Sequence, residues 1–186
     1  MSTKTANTAA QTDRGALDVR SLVLLAILLA AGFILNFTVG RAISALSAGM
    51  ISPEFVISAF CLTILIVRPG MGQALVIGLI SAAVIQITTT SPFIDFAAEG
   101  VAAVTMAAIV RIGMRGPAAR FVPFLGTLFT TILSGVIFMV IKMAMVGAVA
   151  ELAAAMLPVV VATAVFNAML VQALHAPMRK ALRLDD

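Results

Sequence analysis

Apolar residues in this chain come in long continuous runs, where an amphipathic stripe would be broken every few positions. Windows of about 20 residues, the length that crosses a bilayer as a helix, pick out six of them: Ser21–Val39, Pro53–Val67, Met71–Thr90, Phe93–Ile112, Val122–Val146 and Leu152–Leu174. The second is short, and Pro69 and Gly70 leave little room for a turn before the third. A closed β-barrel also satisfies the backbone in lipid, but it needs alternating segments of about ten residues, and these runs do not alternate. The predicted fold class is an all-α integral membrane protein, a bundle of six transmembrane helices.

Composition agrees. Apolar residues make up 62% of the chain and charged ones 11%, with a mean hydropathy of +1.15; a soluble domain sits near half and a quarter. Orientation follows from the basic residues. With both termini cytoplasmic, the inside segments carry Lys4, Arg14, Arg20, Arg68, Arg111, Arg115, Arg120, Arg179, Lys180 and Arg183. Only Arg41 and Lys142 of the twelve then lie outside, the asymmetry that orients membrane proteins. The basic residues are scattered over short segments, so nothing points to nucleic acid. Residues 1–20 are small and polar and read as a mobile cytoplasmic tail, 21–175 as the transmembrane domain and 176–186 as a basic cytoplasmic tail. The first apolar run exceeds the 7–15 residues of a signal-peptide core, so it is expected to stay as a span.

Absences narrow the chemistry. There is one histidine, His175, and one cysteine, Cys61, predicted at different depths, so no zinc set and no thiol–imidazole pair is expected. Neither G-x-S-x-G nor a phosphate loop of the form G-x-x-x-x-G-K-[ST] occurs. The expectation is a protein with no cofactor that is not an enzyme and does not hydrolyse ATP by itself.

The remaining polar residues gather at the predicted outer turns. Arg41, Ser44, Ser47, Ser52 and Glu54 lie near the first; Thr88, Thr89, Thr90, Ser91, Asp95 and Glu99 near the second; Lys142 and Glu151 flank the third. Asp95 and Glu99 are four apart, so on a helix opening after Pro92 they share a face. Asp95 in a first turn is also explained by the helix dipole, worth about 0.3–1 kcal/mol. Glu99 is one turn deeper, where a charge begins to approach the roughly 2.5–3.5 kcal/mol penalty of mid-bilayer, so it is expected to face a cavity or a partner. Lys142 either snorkels to the headgroups or aims at a ligand carboxylate. Asn36 and Asn167 either make interhelical hydrogen bonds of about 0.6 kcal/mol or touch a ligand; Gln86 and Gln172 are placed similarly. Together with Phe55, Phe93 and Phe96, these residues suggest an outward-facing pocket of both charge signs, suited to a small amphipathic or zwitterionic solute.

A chain of this length with six predicted helices resembles the S component, the substrate-binding membrane subunit, of an energy-coupling factor (ECF) transporter. In the first helix, "LVLLAILLAAGFILNF", Ala26 and Ala30 have the A-x-x-x-A spacing of the small-residue face with which S components dock. The ending "VFNAMLVQALHAPMRKAL", with an Asn in the last helix and a Pro before a basic tail, is similar to how S components finish. Within that group, "GMISPEF" and "LVIGLISAAVIQITTTSP" are similar to the tryptophan-transporter family: Pro53 and Glu54 match its G-M-x-P-[DE]-like start of helix two, and Thr88, Thr89, Thr90 and Pro92 its T-T-x-x-P turn. The motifs cover roughly residues 22–112. After the turn, "FIDFAAEG" departs from the family's glycine pair and Asn–Asp region, which leaves the substrate open between tryptophan and a vitamin.

The resemblance implies a solute-binding subunit in a bacterial cell membrane, working with a transmembrane coupling protein and two cytoplasmic ATPases. It implies docking through Ala26 and Ala30 and marks Glu54, Thr88, Thr89 and Thr90 as substrate contacts, to which the polar pattern adds Asn36, Arg41, Asp95, Glu99, Lys142 and Asn167. Two alternatives stay open. A stand-alone facilitator or proton-coupled transporter should carry an inverted repeat, and none is evident between residues 21–90 and 93–174. A non-binding accessory subunit would have no need of the polar outer turns.

Overall fold

The computed structural model describes residues 18–46, 54–87, 89, 91–147 and 149–182, and these are helical apart from short turns. Helix α1, Val19–Leu35, opens on Asp18, whose carboxylate accepts the Ser21 hydroxyl at 2.6 Å and the Ser21 N–H at 2.8 Å. These bonds satisfy a free N–H of the first turn and hold the Asp18 carboxyl below its usual range. The rod does not stop near Val39. A π-helical turn, Asn36–Gly40, carries it into α2, Arg41–Leu46, with the Arg41 N–H reaching back to the Asn36 carbonyl. Arg41, expected in or beside a loop, is therefore helical, because a widened turn absorbs the irregularity without breaking the ladder.

Helix α3, Phe55–Val67, and α4, Met71–Ile85, follow, joined by three residues. The sharpness of that turn falls on Arg68, held left-handed at φ 54° ahead of Pro69. Helix α5 is Ile94–Gly113, a 3-10 turn spans Pro117–Phe121, and α6 runs Val122–Val146. Gly147, at φ 76°, closes α6 by donating its N–H to Met143, a left-handed cap that glycine adopts freely. Helix α7, Val149–Ala181, continues beyond the expected end at Leu174 and through Pro177.

Among the described residues four stretches are long and apolar enough to cross a membrane: Val19–Ile43, Ile94–Gly113, Pro117–Val146 and Ala153–Ala181. Helices α3 and α4 are apolar but shorter, with 13 and 15 residues. At 1.5 Å per residue they are about 20 and 22 Å long, against the ~30 Å of a hydrocarbon core. The packing of α3 gives the physical reason that it can be short. Every residue from Phe55 to Leu65 is buried, and α1, α4, α5, α6 and α7 all pack on it. A helix apolar all round is a core element, and one enclosed by protein need not match the thickness of the lipid.

Close approach between helices is bought with small residues. At Gly32 a Cβ would stand 3.0 Å from the Phe55 carbonyl oxygen, which sets α1 against the start of α3. At Gly78 a Cβ would stand 2.5 Å from the Glu99 carbonyl oxygen and 2.8 Å from Ala103 Cβ, so α4 lies directly behind the part of α5 that carries Glu99.

Candidate functional site

The polar turn between α4 and α5 is organised by one side chain. Gln86, just past the end of α4, accepts the Phe93 N–H on Oε1 at 3.0 Å and donates Nε2 to Asp95 Oδ2 at 3.0 Å. The amide thus ties the left-handed Phe93, at φ 71°, to the first turn of α5. Thr89 also hydrogen-bonds the Asp95 side chain. Thr88 and Thr90 lie outside the described residues.

A cavity of about 430 Å³ opens beside this turn, within the range of small-molecule sites. Its walls come from the end of α1, the π turn and the first residue of α2, the start of α3, the end of α4, the start of α5, the middle of α6 and the first half of α7. All of these converge at one end of the bundle. Six of the residues expected to contact a solute line it: Asn36, Arg41, Glu54, Thr89, Asp95 and Glu99. The i, i+4 spacing of the two α5 carboxylates does put both on its wall.

Each wall has a local cause. Asn36 Oδ1 accepts the Phe55 N–H at 3.0 Å, and the same side chain hydrogen-bonds the Glu54 carboxylate. One amide from the π turn therefore caps the start of α3 and positions an acid. Arg41 is exposed and lies over the Phe37 ring, 4.5 Å from its centroid. Glu99 is buried, 4% exposed, and its Oε1 accepts from Ser134 Oγ on α6 at 2.9 Å. Its other oxygen, Oε2, is buried with no hydrogen-bond partner, as is Oγ1 of Thr131 on the same wall.

Two expected contacts are placed elsewhere. Lys142 does not line the cavity: it donates to Ser91 Oγ at 2.9 Å and lies 5.5 Å from the centroid of Phe138, whose ring does line it. It ties α6 to the turn between α4 and α5, near Asp95. Asn167 is fully buried in α7 off the cavity, and both atoms of its amide lack partners. The aromatic lining also differs from expectation. Phe55 packs edge-on against Phe166 with centroids 5.9 Å apart, and Phe93 is 77% exposed and stacks with Phe96. The rings on the cavity are Phe33, Phe37 and Phe138.

Sequence reasoning missed Ser134 and Thr131. They are three apart, hence on one helix face, but hydroxyls in an apolar helix commonly bond back to their own backbone, so nothing marked them. A deeper tier joins Asn167, which the sequence had singled out, to two residues that it had not. Ser58 and Asn167 are buried without side-chain partners and Thr127 is buried against Cys61, each one helical turn from a cavity residue, respectively Glu54, Thr163 and Thr131. Ala26 and Ala30 are exposed on α1 beside the exposed Val23 and Ile27.

Among the described residues no cluster of three or more His, Cys, Asp or Glu could hold a metal ion. Comparison with protein-family models, curated proteins and solved structures returns no match.

Proposed function

We propose that this chain is the solute-binding membrane subunit of an ECF-type importer for a small amphipathic nutrient, tryptophan or a vitamin among the candidates. The observation that carries the reading is the cavity itself: carboxylates, an arginine, hydroxyls and three phenylalanine rings gathered at one end of an apolar helical bundle. A purely structural subunit has no use for carboxylates at such depth, where each is costly unless something pairs with it.

In this reading all six helical rods cross the membrane, with the short α3 shielded by its neighbours. The cavity faces outward. In support, Arg20, Arg68, Arg111, Arg115, Arg120, Arg179 and Lys180 lie at helix ends away from the cavity, while Arg41 and Lys142 lie at its end. A positive cytoplasmic face places both termini inside. Solute enters from outside, and a coupling protein with two ATPases, docking on the α1 face that carries Ala26 and Ala30, supplies the movement that releases it inward.

The test uses a peculiarity of composition: the chain has no Trp and no Tyr. Purified in a non-aromatic detergent, it should carry or acquire the near-ultraviolet absorption of an aromatic solute, and co-expressed with ECF coupling and ATPase subunits it should co-purify with them. Uptake into proteoliposomes by this chain alone, without ATPases, would overturn the subunit reading in favour of a facilitator.

A further inference from the structure

The three carboxylates on the cavity are not equivalent. Glu54 is held by Asn36, and Asp95 by Gln86 and Thr89 with Lys142 nearby. Glu99 has only Ser134, on one oxygen. Its Oε2 and Thr131 Oγ1 are both buried and unpartnered, and their residues, 4% and 3% exposed, both line the cavity. A buried acceptor left unmade is expensive, and a buried carboxylate more so unless a positive charge compensates it.

No cation among the described residues fills that place. Among the described residues the cavity is lined by one basic side chain, Arg41, which is exposed and stacked on Phe37. Lys142 is turned to Ser91. The cavity thus joins a buried glutamate with an unpartnered oxygen, rings from Phe33, Phe37 and Phe138, and an exposed guanidinium.

We infer that this site selects solutes bearing a protonated amine, which donates to Glu99 Oε2 and Thr131 Oγ1, while any carboxylate of the solute turns toward Arg41. The inference rests on the solute-binding reading and narrows it. Zwitterionic amino acids and cationic amines fit; anionic solutes with no amine do not. The direction of binding is also set: amine innermost, apolar body between the phenylalanines, acid outermost.

The test compares solutes that share a body and differ in one group, on the purified full chain. One series is tryptamine, tryptophan, tryptophol and indole-3-propionate; the other is phenethylamine, phenylalanine, 2-phenylethanol and 3-phenylpropionate. Indole emission reports the first directly, because the chain contributes none, and thermal stabilisation reports both. The amine and zwitterion of at least one series should bind at least tenfold tighter than the alcohol and the carboxylate. Glu99→Gln should erase that difference. Equal or tighter binding of an alcohol or carboxylate sinks the amine inference and leaves solute binding standing. Stabilisation by sodium or potassium alone, with no added effect of any amine, also sinks it. If no member of either series binds, the amine inference and the aromatic-solute reading fall together. The ligand comparison needs no variant, so it holds even if Glu99→Gln does not fold.

Discussion

Ser134 on α6 donates its hydroxyl to Glu99 on α5 at 2.9 Å, across 35 residues of sequence, and leaves the second oxygen of the carboxylate without a partner. The bond ties α5 to α6 at a residue that lines the cavity. Ser134→Ala should leave the whole buried carboxylate unpaired and lower stability by about 1–3 kcal/mol. A melting temperature in detergent equal to that of the parent protein would show that the bond contributes nothing. Ser134→Thr, which keeps the hydroxyl, should be the milder change.

Gly78 decides where Glu99 stands. A methyl group there would meet the Glu99 carbonyl oxygen at 2.5 Å, and backbone cannot yield as a side chain does. Gly78→Ala should therefore displace α5 at a cost of about 1–3 kcal/mol and weaken solute binding with it. Gly72→Ala in the same helix is the control, since a Cβ there meets nothing within 4 Å. It should be neutral or slightly stabilising, because alanine is the better helix former by roughly 1 kcal/mol. If the two variants behave alike, the close contact is not what constrains α5.

Asn36 serves two groups at once, capping the Phe55 N–H and bonding Glu54. Asn36→Ala should cost about 0.5–2 kcal/mol, the range for a lost N-terminal cap. Asn36→Asp keeps the acceptor but faces Glu54 with a second carboxylate, so at neutral pH it should be the worse of the pair. Thermal unfolding of both variants checks the order.

Asn167 is the opposite case. With neither amide atom partnered and no place on the cavity, replacing it by the similarly sized leucine should be neutral or stabilising within about 1 kcal/mol. Solute affinity should not change. A clear loss of affinity on Asn167→Leu would show that the tier beneath the cavity takes part in binding.

Ala26 and Ala30 are exposed on α1. Under the proposed docking role, Ala26→Trp or Ala30→Trp should abolish ATP-driven uptake and co-purification with the ATPases while leaving solute binding intact. Loss of binding in both variants would mean that this face supports the bundle and not a partner.

Much of this molecule was legible as a pattern in one dimension. Apolar runs of bilayer length forced helices, because lipid offers no partner for free backbone groups. The distribution of Arg and Lys separated one end of the bundle from the other, and the four-residue spacing of Asp95 and Glu99 put both on one wall. Threonines and a proline between two apolar runs marked a turn, and Gln86 was noted beside it.

What needed the third dimension was rotation about each helix axis. In α3, apolar on every side, no polar stripe says which way it faces, and only packing showed that Phe55 meets Phe166 while Phe33, Phe37 and Phe138 reach the cavity. The same holds for contacts between distant segments. That Ser134 would find Glu99, that Lys142 would bend to Ser91, and that Asn167 would be buried off the site depend on how closely the helices approach at glycines such as Gly78. Spacing along a helix sets which residues share a face; close packing between helices decides what that face meets.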